Sequence, residues 1–517
     1  FGLTPSSFFS RDLRTGGAGL VFCPHVNGKF GVVEIAASMS TSLNTEVEVY
    51  SGSMPRNWNG DWEQHKVHTQ RDFKRNRTNV LACTSAFGMG IDKSNIRFTA
   101  HYGLPKTVES FYQEAGRAGR DQEPAYCDII LSVDDPERAR HLLDPNTTIE
   151  EVGKVMKAVQ WDDEDDVTRA LWFHTNAFQG VEQDVKNVEA VYSKLTPIRP
   201  HWKKAFSWSS GGANMRAAYE KALHHLVILG VVKDYTVNFA QREFEAELGE
   251  AEADTLGSAL GRYGRSYQAR RGIRLENDFV EKVAGEKKDG PKQRVSLAAQ
   301  SLLEFIYETI ELARRRAMSE ILQATSEAAK SRKSGELLKD RVLLYLTQTD
   351  WDVRLTEIAD VERLEVDDVI AIAEDVVSRN HGDELRAASI RQLSSYPDQP
   401  AFLLLRAYAE SCVSSPDWDR VAEDLRAGVQ FGREKYGMSE SILATLVLEL
   451  TQLLDAREQD ARRFVRSFLT GGLPSRIFAR ELCARLEPNL AVEIIPALTA
   501  GLAREAPAQT NPFEAIT

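Results

Sequence analysis

Asn79-Val80-Leu81-Ala82-Cys83-Thr84-Ser85-Ala86-Phe87-Gly88-Met89-Gly90-Ile91-Asp92 begins as a buried strand and breaks into a turn of hydroxyls and glycines. Strands buried on both faces read as continuous apolar runs, and ligands of parallel sheets gather beyond the strands' carboxyl ends. Outward from this stretch the alternation recurs. Gly19-Leu20-Val21-Phe22-Cys23, Val47-Glu48-Val49-Tyr50, Ile96-Arg97-Phe98-Thr99-Ala100 and Cys127-Asp128-Ile129-Ile130-Leu131 read as further strands. Helical stretches separate them: about Phe30 to Met39, a polar helix up to Phe73, and a short helix from about Thr107. Strand, helix, strand in series implies an α/β lobe with a parallel sheet and right-handed crossovers. Functional residues are expected near the strand ends at Pro24, Gly52 and Thr84. Asp135 is the expected N-cap of the next helix, with Pro136 at its first position.

The chemistry concentrates in two places. Gln113-Glu114-Ala115-Gly116-Arg117-Ala118-Gly119-Arg120 sets two arginines three apart in a glycine-containing loop, with Gly116 closing the preceding helix. The planar fork of a guanidinium matches a phosphoryl oxygen on which charge develops. About twenty residues earlier, Thr84 and Ser85 offer hydroxyls suited to phosphates. Gly88 and Gly90 let the backbone approach a ligand closely, and Asp92 suits a ribose hydroxyl.

Together these runs resemble helicase motifs five and six of superfamily 2. Ala86 to Lys93, Leu104-Pro105-Lys106, Glu109 to Glu114 and Gly116 to Asp121 are similar specifically to the RecQ family. Val21-Phe22-Cys23 resembles the start of that family's motif four, and Tyr50-Ser51-Gly52 its following Tyr-His-Ala-Gly segment. The resemblance spans about residues 17 to 143. It implies a RecA-like second motor lobe, ATP with Mg2+, and 3′ to 5′ movement on single-stranded DNA and duplex junctions. It also implies Arg120 as arginine finger, Arg117 as its companion at the γ-phosphate, and Gln113 as the link between nucleotide and interdomain closure. Gly90, Asp92, Gly116 and Gly119 would lie against the nucleotide, and Thr84 and Ser85 against the strand backbone. Two rival readings remain: an RNA helicase of the same superfamily, and a non-catalytic lobe serving a partner ATPase. Intact Arg117 and Arg120 speak against the second; the first is disfavoured only by family analogy.

Departures from the family matter as much. No GxxxxGK[ST] loop occurs in the sequence, and Asp383-Glu384-Leu385 has neither the setting nor the sequence of the acidic box. The first lobe is therefore expected outside this chain. Phe1, with no initiator Met, reads as a truncation point. Without that lobe the chain should not hydrolyse ATP. The five cysteines are scattered, with none between Cys127 and Cys412, which suits neither a disulfide framework nor the family's four-cysteine zinc module. His65 with His68, and His224 with His225, do not replace it, so no zinc is expected. The segment between Tyr50 and Asn79, carrying Trp58 and Trp62, is only loosely family-like.

The remaining chain divides by character into a lobe over 1–145, a helical connector over 146–204, a winged-helix-like domain over 205–254, a flexible basic linker over 255–295, and a helical, α-solenoid-like domain over 296–517. Tyr219 to Leu229 reads as a helix ended by Gly230. Val231 to Val237 and Phe244 to Leu248 read as the hairpin of a winged helix, which could bind DNA or pack domains together. The acidic run Asp162 to Asp166 reads as a solvated helix start, and Arg314-Arg315-Arg316 as a solvated helix face. Phe173 to Phe178 is expected to pack on the α/β lobe.

Arg262, Tyr263, Arg265, Tyr267, Arg270, Arg271 and Arg274 interleave guanidinium groups with aromatic rings, a pattern suited to single strands. Arg265, Arg270 and Arg271 are the strand-contact candidates, with a solvated linker as the alternative. A net charge of −12 argues against wholesale coating of nucleic acid, but not against a local basic groove. No uncharged apolar run is long enough for a membrane span, and the start is no signal peptide. A reducing cytoplasm is expected, with the C-terminal helices as a surface for protein partners.

Overall fold

The structure is a computed structural model. It describes residues 4–12, 16–87, 92–160, 164–208, 212–267, 269–285, 290–359, 365–379, 381–454, 458–469 and 475–492. In chain order the first elements are α1 (Pro5–Phe8), β1 (Ala18–Phe22), α2 (Val32–Leu43), β2 (Val47–Tyr50), α3 (Trp62–Lys74), β3 (Val80–Cys83), β4 (Ile96–Tyr102), α4 (Val108–Ala115), β5 (Tyr126–Ile130) and α5 (Pro136–Leu143). Then come α6 (Ile149–Ala158), α7 (Asp166–Ala177), α8 (Val181–Leu195), β6 (Lys203–Ser207), α9 (Gly212–Ile228), β7 (Val232–Asn238) and β8 (Glu243–Leu248). The rest is helical: α10 (Ala253–Arg265), α11 (Ala269–Gly285), α12 (Pro291–Ile306), a π-helical turn (Tyr307–Glu311), α13 (Leu312–Lys330) and α14 (Ser334–Leu346). Further on follow α15 (Asp350–Ala359), α16 (Val366–Arg379), α17 (Gly382–Ser395), α18 (Pro400–Cys412), α19 (Trp418–Glu434), α20 (Glu440–Leu453), α21 (Glu458–Leu469) and α22 (Arg476–Arg485). The chain forms two compact units: residues 1–177 with 314–347, and residues 178–313 with 348–517.

In the first unit a five-stranded sheet has the order β2-β3-β1-β4-β5, and every pairing is parallel. All residues of β1 and β3 are buried, which is why their sequence lacks a polar alternation. Leu20, Phe22, Leu81 and Cys83 pack with Phe73, Phe87 and Ile96 on one face, and Val21, Val49, Val80 and Ala82 with Val32, Ala36 and Trp62 on the other. At one edge, β5 leaves Tyr126 and Ile130 exposed. The expected cap is present: Asp135 accepts from the Arg138 N–H, and Pro136 follows it.

Two charged stretches differ from their sequence reading. Of the acidic run, Asp162 and Asp163 lie outside the described residues; the rest leads into α7, but Asp165 and Asp166 are buried rather than solvated. Asp165 accepts from the Asp134 and Thr168 N–H groups, and Asp166 accepts from Ser132 and pairs with Arg169. Arg315 and Arg316 are also buried, not a solvated face. Arg315 donates to the carbonyls of Asp144 at 3.1 Å and Thr147 at 2.8 Å, beyond the end of α5. Of the segment Phe173 to Phe178, Phe173 packs on the lobe as expected, stacking on His25 at 4.4 Å, whereas Phe178 belongs to the second unit, where it meets Tyr307 edge-on at 5.5 Å.

In the second unit, β6, β8 and β7 form an antiparallel sheet in that order, with β6 before α9 in the chain and β7 and β8 after it. Gly230, at φ +76°, turns the chain out of α9 into the hairpin, a conformation a side chain would strain. The flexible linker expected over 255–295 is instead largely helical. α10 and α11 bury Leu256, Ala259, Leu260 and Phe279, and α12 starts at Pro291. Gly257, Gly261 and Gly264 lie within α10, facing α11; small residues allow close helix packing, which a composition rich in Gly, Arg and Lys does not distinguish from flexible chain. The larger core of this unit lies among α15 to α22, around Phe402, Tyr408, Leu425, Leu446 and Phe464.

Candidate functional site

The arginine loop is built on β4. Helix α4 begins with a capping box in which Thr107 and Ser110 satisfy each other's backbone N–H groups. At its far end Glu114 Oε2 lies 2.9 Å from Nε2 of His101, a residue only 3 % exposed. The imidazole stacks on Phe22 at 5.0 Å and meets Phe111 edge-on at 5.0 Å. Beyond Gly116 the chain follows β4 back toward its amino end. The Gly119 N–H donates to the Ile96 carbonyl at 3.0 Å, and Arg97 grips Asp121 by donating from Nη1 and Nη2 to its two carboxylate oxygens. That hydrogen bond holds the Asp121 carboxyl below its usual range and Arg97 above its own. Gly119 has φ +66°, so the turn between the arginines suits glycine.

Arg117 and Arg120 emerge from this scaffold differently. Arg117 is partly buried, and its Nε has no hydrogen-bond partner among the described residues. Burial, and then the neighbouring Arg120 charge, lower its pKa from the ordinary arginine value. Arg120 is open to solvent, with Nη1 3.0 Å from Asp92 Oδ1 and Nε 3.5 Å from the Gly116 carbonyl. Gln113 and Gly116 are exposed, and Gly119 is partly so. Two guanidinium groups held close together, one with an unused donor, are ready for an anion.

The sequence placed functional residues at the carboxyl ends of the strands. Thr84 and Ser85 are there: the Thr84 N–H donates to the Tyr50 carbonyl at 3.1 Å, Thr84 is partly exposed and Ser85 exposed. The Arg120–Asp92 pair instead lies toward the amino end of β4, where Gly119 is hydrogen-bonded. Gly90, with Gly88, Met89 and Ile91, lies outside the described residues. Lys93, in the family-like run, is buried: Nζ donates to Asn76 Oδ1 and sits 5.1 Å from the Phe73 ring, and burial lowers its pKa to about 8. It packs the lobe rather than meeting a ligand.

The arginine–tyrosine stretch is folded more tightly than its composition suggests. Tyr263 and Tyr267 meet Phe305 at 6.0 and 5.8 Å. Arg265 is open but pairs with Glu276 at 2.9 Å. Arg271 donates to Thr309 at 2.8 Å and pairs with the fully buried Asp398, which Lys435 Nζ also approaches at 3.4 Å. The side chain of Arg270 lies outside what is described. Sequence reading missed His101 as Glu114's partner, because neither residue signals the other across thirteen positions. Among the described residues no group of three or more His, Cys, Asp or Glu side chains is placed to hold a metal, and no helix is long and apolar enough to cross a membrane.

Residues 7–122 match the family described as "Helicase conserved C-terminal domain". The RecQ-like DNA helicase blm-1 of Caenorhabditis elegans is 38 % identical over 138 residues, 27 % of this chain and 13 % of that protein. The probable ATP-dependent DNA helicase RecS of Bacillus subtilis is 32 % identical over 154 residues, 30 % of this chain and 29 % of that one. The ATP-dependent DNA helicase RecQ of Haemophilus influenzae is 40 % identical over 112 residues, 22 % of this chain and 16 % of that one. The chain thus matches less than a third of the length of each of these relatives. Residues 7–122 carry β1 to β4 of the parallel sheet and the anchored arginine loop. Residues 7–122 are the C-terminal lobe of a RecQ-like superfamily 2 helicase.

Proposed function

We propose that this lobe works in an ATP-dependent DNA helicase that moves 3′ to 5′, closing on ATP against a first lobe not contained in this sequence. The observation that carries the reading is the arginine loop, tied to β4 through His101–Glu114, Ile96–Gly119 and Arg97–Asp121. A loop so held keeps two guanidinium forks in place before any ligand arrives, and fixed charges of this kind act most strongly on charge that develops during reaction. In this reading Arg120 leaves Asp92 for the γ-phosphate and Arg117 supports it. Gln113 relays closure, and Gly90, Gly116 and Gly119 admit the nucleotide. Asp92, once released, faces the ribose. Closure and opening then move the strand, held at Thr84 and Ser85, by gating rather than covalent chemistry.

ATP and Mg2+ would be held mainly by the first lobe, since this sequence has no phosphate cradle of the GxxxxGK[ST] form. Zinc has no part in the proposal. DNA, single-stranded and at duplex junctions, is the proposed partner; Arg265, Arg270 and Arg271 are the proposed strand contacts of the second unit, of which Arg265 is paired with Glu276 and Arg271 with Asp398. The sequence-based domain limits other than the linker over 255–295, the use of the C-terminal helices for protein partners and a cytoplasmic setting belong to the same proposal.

The test is ATP turnover with and without single-stranded DNA, on this 517-residue chain and on the protein extended to include the first lobe. DNA-stimulated turnover by the extended protein only, unwinding a DNA duplex in preference to an RNA duplex, is expected. Turnover by this chain alone, lost on Arg120→Ala, would overturn the division of labour, and preference for RNA would select the rival substrate.

A further inference from the structure

The loops after β1 and β2 hold features that the arginine loop does not use. Asn27, beyond β1, accepts the Arg56 N–H, beyond β2, at 2.6 Å. Strand β3 lies between β1 and β2, so this clasp bridges the carboxyl end of β3, where Thr84 and Ser85 emerge. Neighbouring strands are about 4.8 Å apart, so the two loops must lean together across roughly 10 Å. A Cβ added at Gly52 would lie 3.3 Å from the Ala86 Cβ, so the β2 loop also meets the loop after β3.

The clasped segment is built rather than slack. The Trp58 N–H donates to the Pro55 carbonyl at 3.3 Å, Asn57 adopts φ +63°, and Asp61 caps α3. Trp58, partly exposed, is backed by Trp62 edge-on at 4.8 Å and by His65 at 4.4 Å. Lys29 and Arg56 are exposed, and among the described residues neither is paired with a carboxylate. Unneutralised cations beside a fixed aromatic ring, in a chain of net charge −12, match the pattern by which single strands are held: phosphates on charge, a base on a ring.

We infer that Lys29, Arg56 and Trp58 form a single-stranded DNA subsite at the carboxyl ends of β1 to β3, in which Trp58 stacks on one base while Lys29 and Arg56 take the flanking phosphates. The inference rests on the proposed function and assigns that strand path a base contact. The backing by Trp62 and His65 fixes the ring before binding, so little freedom is lost when a base arrives. Stacking of this kind tolerates any base, as a translocating motor requires.

The experiment is fluorescence anisotropy of the full 517-residue chain with a labelled oligothymidylate of about 12 nucleotides, a length within the usual range for one such groove. Trp58→Ala should weaken binding roughly ten- to hundredfold, and Trp58→Phe should retain most of it. On the same oligonucleotide made abasic, Trp58→Ala should bind as the parent does. Lys29→Ala with Arg56→Ala should lower the salt slope by about 1.4, at about 0.7 per phosphate contact. Those two exposed positions and the abasic oligonucleotide keep the test decisive if Trp58→Ala does not fold. Binding by the parent that neither abasic substitution nor the cation variants alter overturns the inference alone. No binding of the oligonucleotide by the parent chain overturns the inference and the proposed function together.

Discussion

Arg120 Nη1 lies 3.0 Å from Asp92 Oδ1, joining the two motifs that the sequence separates by 28 positions. The Asp92 side chain is 88 % exposed, so water competes for both partners and the pair is weak. A nucleotide phosphate, carrying more charge and meeting Arg117 as well, can displace it. In the proposed function, the pair holds the finger without committing it.

Arg120→Ala in the extended helicase should cut DNA-stimulated ATP turnover at least about a hundredfold, since arginine fingers contribute roughly 10³ to 10⁵ and Arg117 compensates in part. Arg120→Lys should rescue little, because an ammonium lacks the planar fork. Nucleotide affinity and DNA binding should change far less than turnover. Turnover at saturating ATP and DNA beside a binding titration measures this; near-normal turnover in the alanine variant would remove Arg120 from its assigned role.

His101→Phe keeps the ring packing on Phe22 and Phe111 but leaves the Glu114 carboxylate without its donor. Leaving a buried acceptor without its partner costs about 1 to 3 kcal/mol, and Glu114, being partly exposed, should lose toward the lower end of that range. The variant should melt earlier than the parent, while His101→Gln, which can still donate, should lose less. Equal melting of the two variants would show that ring packing, not the bond to Glu114, matters at this position.

Lys93 gives a pH-dependent signature. Its folded pKa, lowered to about 8, lies below the ordinary lysine value of 10.5, so between these limits the unfolded chain binds more protons. The parent should gain stability relative to Lys93→Met as pH rises from about 8 to about 10.5, with little change in that difference below the window. Denaturant titrations of both proteins at several pH values test this. A difference that stays flat across the window would show that Lys93 is not strained by its charge.

Arg271→Ala should destabilise the second unit by about 3 to 5 kcal/mol, because Asp398 is fully buried and would keep only the Lys435 approach at 3.4 Å. Arg265→Ala, at an exposed pair with Glu276, should change stability by less than about 1 kcal/mol. If Arg265 meets the strand, its loss should instead flatten the salt dependence of DNA binding. Chemical denaturation and salt titration of the two single variants separate the roles that composition merged.

The strands of the sheet were legible because burial on both faces leaves an apolar run that only a sheet interior satisfies. The arginine loop was legible as a loop because Gly116 and Gly119 break the helix that starts near Thr107. Charge was read less well. Arg315, Asp165 and Asp166 look like solvated residues in sequence, yet each is buried against backbone groups that no local pattern reveals. Likewise α10 and α11 read as a linker, because the glycines that let helices approach closely also mark flexible chain.

By itself the sequence determined the order of strands and helices along the lobe, the arginine loop and the turn at Thr84 and Ser85, since these follow from periodicity and from residue chemistry over short spans. The tertiary structure alone decided which distant groups meet: His101 with Glu114, Arg97 with Asp121, Arg120 with Asp92, Asn27 with Arg56, and Arg271 with Asp398. The physical reason is that hydrophobic patterning is written locally, repeating every two or three to four residues. The pairing of a buried or clasped polar group depends instead on which strands the chain crossings make neighbours.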